Sequence, residues 1–189
     1  MILPIFTYGS PVLRKVAQPI SLDYADLGTL IQNMFDTMYN ASGVGLAAPQ
    51  VGLPIRIFVV DGAPMDDSEE GGENLQGFKH VFINPVILEE TGEEWAFEEG
   101  CLSIPGIREE VWRPEKIRLK YQTPSGETIE SSFEGIQARI IQHEYDHIDG
   151  VLFTDHLQGL KKQLIKSKLI RLAKGIHQAG YPTRLQKNK

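Results

Sequence analysis

Apolar positions recur at helical spacing in three stretches of the chain. In the first, Leu27, Leu30, Ile31, Met34 and Met38 fall on one face, and Gly43 is placed to end the helix. In the second, the run EGIQARIIQHEYDHI from Glu134 to Ile148 puts Ile136, Ile140, His143 and His147 on one face, with Gly150 as a C-terminal cap. In the third, residues 157–174, Leu157, Leu160, Leu164, Leu169 and Leu172 form an apolar stripe against a basic face. The middle of the chain reads differently. IRIFVV at 55–60, VFINPVIL at 81–88, EKIRLKYQT at 115–123 and TIESSF at 128–133 are rich in β-branched and aromatic residues and are expected to be strands. The acidic, glycine-rich stretch at 61–80 reads as a solvated loop insertion. Together these elements predict an α+β fold: antiparallel strands around a central helix, the second of the three, with an N-terminal helix and a basic C-terminal helix.

Composition narrows the class. With 189 residues, 41% hydrophobic and 23% charged, and with no repeat or low-complexity linker, residues 1–189 are expected to form one domain with a sizeable core. No stretch approaches the ~18 uninterrupted apolar residues that a membrane-spanning helix needs. The opening MILPIFTYGSPVLRK has neither a basic leader nor a small-residue cleavage site, so the expectation is a soluble protein of a bacterial cytoplasm, and a monomer is expected separately. Charge is unevenly spread: the net charge is -6, yet residues 156–189 hold nine Lys or Arg and no Asp or Glu. That tail is therefore +9, which leaves -15 for the first 155 residues. The single cysteine, Cys101, excludes an internal disulfide, and its plainest role is a small buried apolar residue.

One motif asks more of the histidines. His143-Glu144-Tyr145-Asp146-His147 is an HExxH sequence inside the second helix. Spacing of four residues sets the two imidazoles one turn apart, where they can share a metal ion, and Glu144 stands beside them near any bound water. A catalytic centre of this type takes three protein ligands and leaves a position open. A metzincin would need a histidine at Phe153, and a gluzincin a downstream glutamate, yet no Glu follows Glu144. Cys101, in EGCLS at 99–103, offers a soft anionic thiolate and is taken as the third ligand. Asp149, Asp155 and His156 stay open as alternatives, Asp155 foremost, and would point to a metalloprotease. A structural metal-binding module with a closed four-ligand site is the non-enzymatic alternative. The small-residue run GVGLAAPQ at 43–50 lets a backbone approach a ligand closely, but a tight turn accounts for it equally well.

Taken in order, GVGLAAPQ, EGCLS and QHEYDH at 142–147 resemble the three signature motifs of the peptide deformylases, and the likeness extends over most of residues 2–155. The resemblance implies hydrolysis of the N-formyl group from formylmethionyl nascent peptides, with release of formate. It implies that Cys101, His143 and His147 hold one divalent metal, iron(II) in the native state and zinc or nickel after purification, and that Glu144 acts on the bound water. It places the Gln50 side-chain amide and the Leu102 backbone N–H toward the substrate carbonyl oxygen, and Val44, Phe97, Ile136 and Ile140 around the methionine side chain. Backbone groups of Gly45 and Gly100 are then placed to pair with the peptide as an added strand. Arg113 and Asp146 are expected to pair and steady the metal helix. For an enzyme meeting nascent chains, the basic C-terminal helix is also a candidate contact for ribosomal RNA phosphates.

Overall fold

The computed structural model describes residues 1–66 and 72–186. Its framework is a five-stranded antiparallel sheet in the order β2-β3-β4-β5-β6, formed by Gly45–Ala47, Ile57–Asp61, Lys79–Gly100, Arg108–Gln122 and Thr128–Glu134. A two-residue strand near each end of the described chain, β1 (Ile5–Phe6) and β7 (Thr183–Arg184), pair in parallel as a second small sheet. Three α-helices are present among the described residues: α1 (Leu27–Asn40), α2 (Gly135–Ile148) and α3 (Gly159–Ala173).

β3 shows why the sheet needs a helix on each face. Its side chains alternate with period two, so Phe58 and Val60 pack with Ala138, Ile140 and Ile141 of α2, whereas Ile57 and Val59 pack with Met34 and Met38 of α1. Phe58 is fully buried, a placement that stabilises by about 1.5–3 kcal/mol for a side chain of this kind. A third cluster, including Leu13, Ile104, Ile107, Leu152, Phe153, Ile165 and Leu172, docks α3.

The strands run further than their β-rich segments suggested. β4 continues past Leu88 to Gly100 and β5 begins at Arg108, because the two form one long hairpin in which Glu99 pairs with Glu109 and Gly100 with Arg108. Charged residues on its solvent side hide the strand period from a hydrophobicity reading. Pro85 sits at the first of three register shifts, where a missing N–H costs the ladder nothing.

Three other expectations change in detail. α1 does end near Gly43, but Ser42 is the left-handed residue (φ 54°), and Gly43 contributes its N–H to the Met38 carbonyl. The expected stripe is only partly buried: Leu157 and Leu172 are buried and Leu169 packs against the same cluster, but Leu160 and Leu164 are not. The helix starts after Leu157 and rests on Ile165 and Leu172, which leaves Leu160 and Leu164 69% and 64% exposed. The helix carries enough leucines for two stripes, and the neighbouring cluster selects only one of them. The insertion at 61–80 is not simply solvated: Leu75 and Phe78 are buried, and Glu73 accepts the Ile136 N–H at 2.9 Å, capping the start of α2. Residues 67–71 of that insertion lie outside the described residues.

Candidate metal centre

Three elements meet at one cavity of about 610 Å³. The end of β4 delivers Cys101, α2 delivers His143 and His147, and β2 with the turn after it delivers Gly45 and Gln50. Potential ligand atoms of Cys101, His143 and His147 all lie within 4.8 Å of one another. Cys101 Sγ is 3.2 Å from His147 Nε2.

Glu99 governs the His143 ring. The Glu99 carboxylate accepts from His143 Nδ1 at 2.9 Å, from Arg113 Nε and Nη2 at 2.7 and 3.0 Å, and from Arg139 Nη1 at 3.0 Å. These contacts occupy its lone-pair sites and place the imidazole proton on Nδ1, which leaves Nε2 free for a metal. Burial alone would push the Glu99 carboxyl up, but His143 and Arg113 hold it far below the usual carboxylate range. Burial likewise opposes ionisation of the Cys101 thiol, yet the two imidazoles bring it down to about 5.

Glu144 is buried, and its Oε2 has no hydrogen-bond partner among the described residues. Burial pushes its carboxyl up to about 7, against the lowering influence of His143 and His147. An unpartnered buried oxygen beside a thiolate and two imidazoles is the acceptor that a water molecule on a metal ion would meet. Gly45 makes the room: a Cβ there would come within 2.3 Å of Glu144 Oε1. The donor set therefore fits a divalent ion with three protein ligands.

Other expected site residues can be placed. Gln50 is buried, accepts the Ala47 N–H at 2.8 Å and donates to Ser103 Oγ at 3.2 Å. Val44, Gly45, Phe97, Gly100, Leu102 and Ile140 line the cavity. Ile136 is not among the lining residues; it packs against the core cluster between α2 and the sheet, at the helix end capped by Glu73. Arg113 Nη1 stands 2.8 Å from Asp146 Oδ2, which also meets His156 Nε2 at 2.8 Å.

The downstream ligand candidates are engaged elsewhere. Asp155 pairs with Arg14 and accepts the Leu152 N–H, Asp149 pairs with Arg56, and His156 meets Asp146. That removes the basis for an aspartate-liganded protease. The only group of three or more His, Cys, Asp or Glu ligands among the described residues is the trio itself, so a closed four-ligand module lacks its fourth residue.

A model of the polypeptide deformylase family matches residues 2–163. The chain belongs to the peptide deformylase family. It is 56% identical to the peptide deformylase of Christiangramia forsetii, over all of this chain and 98% of the relative, and 52% identical to that of Flavobacterium psychrophilum, over all of both chains. Among solved structures, the peptide deformylase from Legionella pneumophila shares 40% identity at a TM-score of 0.78, with 92% of this chain and 96% of that one covered. The peptide deformylase from Plasmodium falciparum shares 34% at a TM-score of 0.80, over 90% and 95%.

Several residues around this deformylase centre escaped the sequence reading. Glu99 was part of the EGCLS motif but received no role, because a glutamate in an acidic strand gives no sign of burial. Arg139 did leave a sign: it lies four positions before His143, on the same face of α2. Pro64 and Met65 from the insertion, and Gln178–Tyr181 beyond α3, also line the cavity, and no local pattern announces them.

Proposed function

We propose that Glu144, Gln50 and Leu102 carry out the deformylation chemistry of this chain and that Cys101, His143 and His147 hold the metal ion it requires. As a peptide deformylase, the chain is a metallohydrolase that removes the N-formyl group of nascent peptides. Water oxygen bonds to the formyl carbon, the amide C–N bond breaks, and formate and a free amine leave. A divalent ion at the three ligands supplies Lewis acidity and lowers the pKa of water from about 16 towards 7.

Glu144 takes the proton of the attacking water and returns it to the departing nitrogen. Gln50 Nε2 and the Leu102 N–H stabilise the charge that grows on the former carbonyl oxygen. Val44, Phe97 and Ile140 receive the methionine side chain, while backbone groups of Gly45 and Gly100 pair with the peptide main chain. The Arg113–Asp146 pair holds α2 against β5 and, through Glu99, keeps His143 in its ligating orientation. The observation that carries this reading is the unpartnered Glu144 oxygen beside the Cys-His-His cluster.

The decisive experiment measures formate release from formyl-Met-Ala-Ser by anaerobically prepared protein, beside Glu144→Ala and an unformylated peptide. Formate from wild type alone, with peptide bonds intact, is the expected result. Peptide-bond cleavage without formate would replace this reading with a protease.

Iron(II) is proposed as the native ion, with zinc or nickel taking its place on purification, because affinity order favours the later metals. The whole chain is proposed to act as one monomeric catalytic domain in the cytoplasm; no helix among the described residues is long and apolar enough to cross a membrane. The basic C-terminal helix is proposed to contact ribosomal RNA, making co-sedimentation with ribosomes salt-sensitive and dependent on residues 157–189.

A further inference from the structure

The segment after α3 turns back to the metal centre. β7 is stitched to β1 by Ile5 N–H to the Pro182 carbonyl at 2.9 Å and Thr7 N–H to the Arg184 carbonyl at 3.0 Å. The Arg184 guanidinium lies over the Phe6 ring, 5.6 Å from its centroid. Just ahead of β7, Gln178–Tyr181 line the cavity that holds Gln50, Cys101, His143 and Glu144. Here the Tyr181 hydroxyl donates to the Leu102 carbonyl at 2.8 Å.

That carbonyl belongs to the Leu102–Ser103 peptide unit. The N–H of the same unit reaches Cys101 Sγ at 3.4 Å. One residue on, the Ser103 carbonyl accepts the Tyr8 N–H at 2.8 Å, and the Ser103 hydroxyl accepts from Gln50 Nε2 at 3.2 Å. The turn that carries Cys101 and Leu102 is thus held by Tyr181 from the C-terminal segment and by the backbone that follows β1. A peptide plane is rigid, so a bond to its oxygen fixes where its N–H points. A carbonyl that accepts a hydrogen bond also strengthens the donor at the other end of the same amide.

We propose that Tyr181 is a positioning residue for deformylation, its hydroxyl holding the Leu102–Ser103 peptide so that the Ser103 N–H meets the Cys101 thiolate and Leu102 is kept in register with the substrate carbonyl. The inference rests on the deformylase reading of the site. The family match ends at residue 163, so this support comes from a part of the chain beyond it.

Tyr181→Phe removes the hydroxyl and little else, and a melting curve beside wild type checks that the fold is retained. Both proteins are loaded with cobalt(II), which reports on a thiolate ligand through a near-ultraviolet charge-transfer band. A thiolate that loses a hydrogen bond donates more strongly, so the band is expected at longer wavelength in the variant. With formyl-Met-Ala-Ser, kcat is expected to fall about tenfold while KM stays close to wild type, the scale typical of outer partners of metal ligands. An unshifted band with unchanged kcat overturns the proposal. A change in KM alone also overturns it, reducing Tyr181 to a wall of the groove. Failure of wild type to release formate would instead sink the deformylase reading, whereas the cobalt spectra test Tyr181 without turnover.

Discussion

α2 and α3 are helices of 14 and 15 residues, and both were visible in the sequence, but they are held in different ways. α2 is gripped along its length. Glu73 caps its start, Ala138, Ile140 and Ile141 are buried in the core, Arg139 and His143 meet Glu99, Asp146 meets Arg113, and Gly150 ends the helix with a left-handed turn. α3 rests on Ile165 and Leu172 and turns most of its remaining surface to solvent. A helix that aims ligands needs every degree of freedom fixed, whereas a helix that presents a surface needs only an anchor. Substitutions should therefore reveal a steep hierarchy.

The largest effect is expected where α2 meets β2. Gly45→Ala drives a methyl group into the Glu144 carboxylate, and formate release should fall at least about a hundredfold through misplacement of the base. A normal rate would show that Glu144 does not need its present position. Gln50→Ala should slow kcat by about 10²–10³-fold, the usual cost of one oxyanion donor. The structure adds a stability cost of about 1–3 kcal/mol, because the buried Ala47 N–H loses its acceptor. Gln50→Glu keeps that acceptor and separates the two effects: activity should drop while the melting temperature changes less.

Arg113→Ala tests the support behind α2. It leaves Glu99 and Asp146 without a shared buried cation, and a chemical melt should register a loss of about 3–5 kcal/mol. Metal affinity by chelator competition should weaken about ten- to a hundredfold. Unchanged values in both assays would remove the pair from the account of the site. At the bottom of the scale, Leu160→Gln with Leu164→Gln should stay within about 0.5 kcal/mol of wild type and release formate at the normal rate. A large loss of stability there would mean that α3 is packed after all.

The same contrast explains what the sequence could reveal. That Cys101, His143 and His147 gather in one place, with Glu144 beside them, was legible because ligand chemistry demands particular residue types at particular spacings. α1, α2 and the strands at 57–61 and 115–122 were legible because each has an apolar face with a clear period. Glu99 and Arg113 were harder: their burial depends on one another, and a charged residue in a strand ordinarily signals solvent. The resemblance placed Ile136 beside the methionine side chain together with Ile140, but Ile136 packs against the core cluster at the start of α2, where Glu73 accepts its N–H, and does not line the cavity. Tyr181 and Met65 reach the site through the path of the chain rather than through any local pattern. Leu160 and Leu164 show the opposite failure, in which a good helical period named residues that have nothing to pack against.

Cys101 and His143 stand at the two ends of a segment that contains β5, β6 and half of α2. A metal ion held as proposed would tie the thiol to the imidazole and close this segment into a ring. For a covalent link around about 40 residues, loop-closure entropy withdrawn from the unfolded chain is worth about 4 kcal/mol. On the proposed reading the three ligands would also act as a clasp, and a chelator should loosen β5, β6 and the start of α2 as well as stop catalysis. Folding and chemistry would then draw on one and the same knot of atoms.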